Sequence, residues 1–209
     1  MSIKTKVFLL IFIILLVDQV SKILVKTNMY MGESIPVLGN WFILHFIENN
    51  GMAFGFEFAG NWGKYALSIF RIVAVGGLTW YILRLIKLDA PIGFVLALGL
   101  ITAGAAGNIF DSAFYGLIFN ESTYMNPMVD GSGIATLFPE GGGYSSFLQG
   151  RVVDMFYFPV LKGYYPEWLP WKGGDSFLFF RPVFNVADSA ITIGVGWVLL
   201  FQRKYLRTL

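Results

Sequence analysis

The sequence predicts an all-α integral membrane protein, a four-helix transmembrane bundle with a small extracytoplasmic β-rich subdomain. Three observations carry this. Of 209 residues, 56% are hydrophobic and 13% charged, with a mean hydropathy of +0.65, which is too apolar for an ordinary soluble domain. Four apolar stretches are long enough to span a bilayer. The Lys and Arg residues of the short loops and tails fall on one side of those spans.

The first span, about Val7–Val25, follows Lys4 and Lys6 and carries Asp18, Gln19, Ser21 and Lys22 near its far end. Its basic start resembles a signal peptide, but no small-residue cleavage site follows and the polar cluster is unusual for a discarded segment. An outer loop, Lys26–Lys64, contains the aromatic, β-branched run Trp41–Ile47, which reads as a strand before an Asn-Gly turn. The second span, about Tyr65–Ile86, holds Arg71, read as snorkelling outward or pairing locally. The third, about Ile92–Ile109, contains Gly93, Gly99, Gly104 and Gly107, so that another helix can approach closely. A second outer loop, residues 110 to 184, is rich in Gly, Pro, Ser and aromatics and contains Gly150–Phe158, an alternating strand-like run. The fourth span, about Asn185–Gln202, precedes Arg203, Lys204 and Arg207. Residues 1 to 209 thus form one membrane domain, with both termini on the positive, cytoplasmic side.

With a rise of about 1.5 Å per residue, the polar groups fall at one depth. Asp18 and Lys22 lie one turn apart on the first helix, Asn108 and Asp111 at the outer end of the third, and Asn185 and Asp188 at the outer end of the fourth. Ionisable groups at such depth are costly and mark functional sites. Asn50 and Asp154, outside the spans, stand where they can join this cluster. Should Asp154 face Asp188, the two carboxylates would share one proton, giving a base to activate water and an acid to protonate a carbonyl and then the leaving amine. A proton-coupled transporter is the alternative, since intramembrane Asp and Lys also line ion paths, although a path needs polar groups in both leaflets. A non-catalytic assembly factor, using the Gly-rich third helix, is a further one. Zero cysteines exclude thiol chemistry and disulfides, and one histidine excludes a multi-histidine metal site; His45, in an aromatic strand, reads as structural. The net charge of +2, without a basic run, argues against nucleic acid.

Five blocks in order resemble the bacterial lipoprotein signal peptidases, or signal peptidase II: Asp18–Lys22, Asn49–Gly55, Gly104–Asp111, Gly150–Phe156 and Phe184–Ala190. The resemblance implies an intramembrane aspartyl endopeptidase of the bacterial inner membrane that removes signal peptides from diacylglyceryl-modified prolipoproteins, with its site near the outer face, a β-rich cradle on the bilayer surface, and no metal or organic cofactor. A monomer suffices for that chemistry, with lipid and substrate as partners. Matched residue by residue, Asp154 and Asp188 are the catalytic pair, and Asp18, Lys22, Asn50, Gly104, Asn108, Asp111, Asn185 and Ala187 are the supporting positions. Two departures stand out. The family has Arg after the Asp of the third block where this chain has Ser112, and Arg151 is the candidate replacement for holding substrate backbone. About Phe114–Gln149 is an insertion whose glycines, Gly131, Gly133 and Gly141–Gly143, predict flexibility.

Overall fold

The computed structural model describes residues 1–50, 60–126, 132–179 and 182–206. Residues 51 to 55 of the second motif block, Gly131 of the insertion and Arg207 of the tail lie outside the described residues. In chain order the elements are α1 (Ile3–Asn28), β1 (Ser34–Leu38), β2 (Phe42–Asn49), α2 (Gly60–Lys87) and α3 (Ile92–Phe110). A π-helical turn, Asp111–Tyr115, extends α3 into α4 (Gly116–Ile118). Then come β3 (Val152–Tyr157), β4 (Leu161–Tyr164), β5 (Ser176–Phe179), β6 (Val183–Phe184), α5 (Val186–Phe201) and α6 (Arg203–Leu206).

The first three helices run beyond the expected spans, and α5 falls one residue inside its span at each end. Ser2 caps α1 by accepting from the Thr5 amide at 3.1 Å, so the helix begins four residues before Val7. Three helical stretches, Ile3–Asn28, Trp62–Lys87 and Ile92–Ile118, are long and apolar enough to cross a membrane, whereas α5 is apolar but has 16 residues. The third stretch passes the expected end at Ile109 because one wider turn absorbs the register change without breaking the helix. That turn buries Asp111, Ser112, Ala113 and Tyr115 together, which a regular α-helix facing one neighbour would not do.

A four-stranded antiparallel sheet, ordered β1-β2-β3-β6, stands at the end of the bundle where α1 finishes and α5 starts. Its core packs Phe46, Val153 and Met155 against Val25, Met29, Tyr115 and Phe119. At the other end of the helices Val7, Ile82, Leu85, Phe94 and Val95 form a second core. The β2–β3 register shifts between Leu44 and Ile47, an extra residue on β2. Phe46 sits in this bulge; its amide donates to the Glu33 carbonyl and its carbonyl accepts from Gly32. The bulge turns Phe46 into the core and re-aims the strand end that carries Asn49.

The described part of the insertion packs against the fold through its first aromatic residues. Tyr115 and Phe119 are fully buried. Backbone bonds join Thr123 to Gly133, Met31 to Thr123, Phe138 to Ile118 and Tyr144 to Phe119. Aromatic burial and these bonds offset part of the entropy that glycine adds.

The closest helix pair is α3 with α5. A Cβ at Gly104 would stand 2.2 Å from the Ala187 carbonyl oxygen, and one at Gly107 would stand 2.6 Å from an Asp18 carboxylate oxygen. Approach this close, to backbone at Gly104 and to a buried carboxylate at Gly107, leaves room only for glycine. Gly104→Ala is therefore expected to separate the helices and cost about 1–3 kcal/mol, seen as a lowered thermal unfolding midpoint in detergent. Gly76→Ala, whose Cβ meets nothing within 4 Å, should leave the midpoint unchanged or slightly raised.

Candidate active site

The site is assembled outward from Lys22. Its ammonium, fully buried, lies 2.9 Å from Asp18 and 2.8 Å from Asp111, and it donates to Asn108 Oδ1 at 3.0 Å. The expected pairing of Asp18 with Lys22 is thus one side of a three-residue ionic group joining α1 to the π-helical turn. Gln19 completes it, donating to Asp18 at 3.0 Å and to Asp111 at 2.9 Å while accepting from the Tyr115 hydroxyl at 3.1 Å. Asp18 also accepts from the Ala187 amide at 2.9 Å, and the Val153 amide points at Asp111 across 3.4 Å. Two aspartates thereby fix the positions of α5 and β3.

On that platform Asn185 bridges the candidate pair. Its amide nitrogen donates to Asp154 Oδ1 at 2.7 Å, to the Val153 carbonyl at 3.2 Å and to Asn108 Oδ1 at 3.3 Å. Its side-chain oxygen accepts from the Asp188 amide at 2.9 Å, while its own backbone N–H faces the Asp188 carboxylate at 3.3 Å. This is a reciprocal capping box that starts α5. Asn108 donates to Asp188 Oδ1 at 2.8 Å. Asp154 and Asp188, from a strand and a helix, therefore meet through one shared asparagine.

Asp154 is buried, and its neighbourhood makes it a weak acid. Burial first and the Asp188 charge second raise it from its ordinary value of 3.8 to about 7, against the opposing influence of Lys22, Asn185 and Asn49. Asn49 donates to its other oxygen. On the antiparallel β2–β3 pair Asn49 stands opposite Val152, so Asp154 is its diagonal neighbour on the same face.

Several expected positions serve less directly. Asn50 accepts from Lys64 at 3.1 Å. Gly104 and Ala187 bring α3 and α5 into contact. Ser112 is buried, its hydroxyl donating to the Asn108 carbonyl at 3.0 Å. Arg151 reaches away from the pair: its guanidinium lies 2.8 Å from Glu121 and 3.6 Å from Glu48 and covers the Tyr144 ring. Glu48 in turn receives buried Lys26 and the Ser122 hydroxyl. Arg151 thus ties β3 to the insertion.

The sequence reading passed over Gln19, Asn49, Lys26 and Glu48. Gln19 and Asn49 sit inside quoted motif blocks, and their signal was adjacency to matched residues; Lys26 and Glu48 bore none until the fold buried them. Half-buried Arg71 of α2 is near enough for its charge to act on Asp188, which places it at the site rather than facing outward.

The chain is similar along most of its length to known proteins. A family model described as signal peptidase (SPase) II matches residues 10–203. A lipoprotein signal peptidase of Porphyromonas gingivalis is 50% identical over 192 residues, covering 91% of this chain and 80% of that protein. One from Amoebophilus asiaticus is 39% identical over 190 residues, 90% of this chain and 73% of its own length. A solved bacterial membrane enzyme shares the fold with a TM-score of 0.61 at 23% identity, covering 96% of this chain and 94% of its own. With a family match along nearly its whole length, the chain belongs to the signal peptidase II family.

Proposed function

We propose that this protein is an intramembrane aspartyl endopeptidase that removes the signal peptide from diacylglyceryl-modified prolipoproteins, with Asp154 and Asp188 as the catalytic pair. The observation that carries the reading is the Asn185 bridge, which hydrogen-bonds both carboxylates at once. In this reading α5 is the fourth span despite its length, both termini are cytoplasmic, and the sheet with the carboxylate pair lies at the outer face of the bacterial inner membrane. The protein works as a single domain over residues 1–209 and as a monomer. Asp18, Lys22, Asn50, Gly104, Asn108, Asp111, Arg151, Asn185 and Ala187 support the pair. The transporter alternative has no support in the family assignment.

The two carboxylates have different surroundings, and this assigns their tasks. Asp188 sits in the first turn of α5, where helix N–H groups and the Asn108 amide suit a negative charge. It is the base that draws a proton from the attacking water. Asp154, buried and raised to about 7, keeps its proton on a large share of molecules at neutral pH and on nearly all below it, and serves as the acid. It protonates the scissile carbonyl oxygen as Asp188 takes the proton of the water; Asp188 then gives that proton to the departing amine while Asp154 takes one back from a gem-diol hydroxyl, so the peptide bond breaks without a covalent intermediate and both carboxyls return to their starting states.

Purified protein incubated with a diacylglyceryl-modified prolipoprotein tests this directly. Asp154→Asn and Asp188→Asn are each expected to lower kcat by about 10²–10⁴-fold while the unfolding midpoint stays near wild type. Cleavage persisting in both would remove the pair from the mechanism.

The acid must be protonated, so kcat/KM should fall as pH rises through about 7. The same raised pKa means that the contribution of Asp154 to stability is present at low pH and is lost as pH climbs from about 4 to about 7. Asn49 donates to the ionised form, so Asn49→Ala is expected to move the alkaline limb of the pH–rate profile upward. An unmoved limb would mean that a different group sets it.

Arg151→Ala separates bracing from substrate holding. Loss of the Glu121 and Glu48 contacts alone should lower the unfolding midpoint and leave KM nearly unchanged, whereas a role in gripping substrate backbone predicts a raised KM.

A further inference from the structure

Between β3 and β6 the chain leaves the sheet and forms a separate hairpin. Strands β4 and β5 pair antiparallel, from Leu161 opposite Phe179 to Tyr164 opposite Ser176, and join no other strand among the described residues. The tip is well made. Tyr165 N–H donates to the Asp175 carbonyl at 2.9 Å, Gly174 N–H to the Tyr165 carbonyl at 3.0 Å and Gly173 N–H to the Leu169 carbonyl at 3.0 Å, and the Lys172 ammonium lies over the Tyr165 ring. Yet its largest side chains face outward: Tyr164 is 76% exposed, Trp168 79% and Trp171 fully exposed. Trp171 also holds a positive φ of 67°, a conformation that a bulky residue adopts only at a cost.

We propose that this hairpin is a bilayer anchor whose tryptophans lie in the headgroup region of the membrane the helices cross. A two-stranded hairpin is marginal in water by itself, so it needs a surface to lean on. Trp and Tyr, apolar bodies with one polar handle, are the side chains that concentrate at membrane–water interfaces. The location is right for lipid. The hairpin returns through β6 to Asn185, the cap of α5, so its root is at a helix end. At that same end of the bundle Trp62, in the first turns of α2, and Trp41, in the β1–β2 turn, are also exposed, and the hairpin extends this aromatic belt. Residues 159–182 hold Lys162, Lys172 and Arg181 against Glu167 and Asp175, a net of one positive charge, so the contact is carried by the aromatic rings rather than by charge. Because the hairpin is spliced between the strand of Asp154 and the helix of Asp188, seating it ties both carriers to the bilayer surface.

The chain has no cysteine, so Trp171→Cys offers a unique labelling position on the full protein. With an environment-sensitive fluorophore there, proteoliposomes of phosphatidylcholine should give blue-shifted emission. A headgroup nitroxide lipid should quench it at least two-fold more than a nitroxide deep in the acyl chain, and added phosphatidylglycerol should change neither. Trp168→Cys should behave alike. Quenching of both labels by aqueous iodide and by neither lipid nitroxide would overturn the proposal. So would shielding that develops only when prolipoprotein is added, which would assign the tip to the peptide. The readout needs no cleavage, so it stands or fails independently of the peptidase reading.

Discussion

A buried ammonium governs this structure. Lys22 has no exposed surface, and an unpaired charge there would cost several kcal/mol, enough to prevent folding. It is acceptable only because Asp18 supplies one carboxylate from its own helix and Asp111 another from the end of α3. Each of those carboxylates then has oxygen valence left over, and the chain uses it on backbone: Ala187 N–H at the start of α5 and Val153 N–H beside Asp154. The charge requirement of one lysine is thereby converted into the placement of two further elements. The π-helical turn belongs to the same constraint, because it is what lets Asp111 face Lys22 while the helix continues into the insertion.

The candidate catalytic carboxylates are bridged by amides. Asn185 and Asn108 each offer a donor and an acceptor, so they can bridge groups that a lysine would only neutralise. Had Lys22 reached Asp154 directly, the carboxyl would be held ionised and unable to serve as an acid. Keeping the ammonium one layer back, behind Asn108, leaves burial and the Asp188 charge to hold Asp154 near neutrality. The neutral amides orient without discharging the pair.

The insertion is integrated through a second buried lysine. Lys26 joins Glu48 and Ser122 and lies against the rings of Phe119 and Tyr144, and the Arg151 guanidinium also lies over the Tyr144 ring. The Tyr144 hydroxyl accepts from the Arg151 amide at 2.6 Å, and burial holds that phenol well above its usual range. Residues far apart in sequence thus tie α1, the insertion and β3 together, and the strand that carries Asp154 is buried from Val152 to Met155.

Much of this was legible in the residues. Hydropathy located the helices because a bilayer demands long apolar runs with every backbone group satisfied internally, and the depth of Asp18, Lys22, Asn108, Asp111 and Asp188 followed from helix rise alone. The resemblance of five ordered blocks named the family. The sequence by itself therefore determined the helical plan, the end of the bundle where polar groups gather and the identity of the suspected pair. Only the tertiary structure decided how those groups touch. The β2 bulge that brings Asn49 to Asp154, the commitment of Arg151 to Glu121, the burial of Lys26 with Glu48 and the packing of a glycine-rich insertion all depend on partners distant in the chain. Periodicity reports which face of an element is apolar. It carries no information about which distant polar group that face will meet, because that pairing is set by the summed geometry of every element between them.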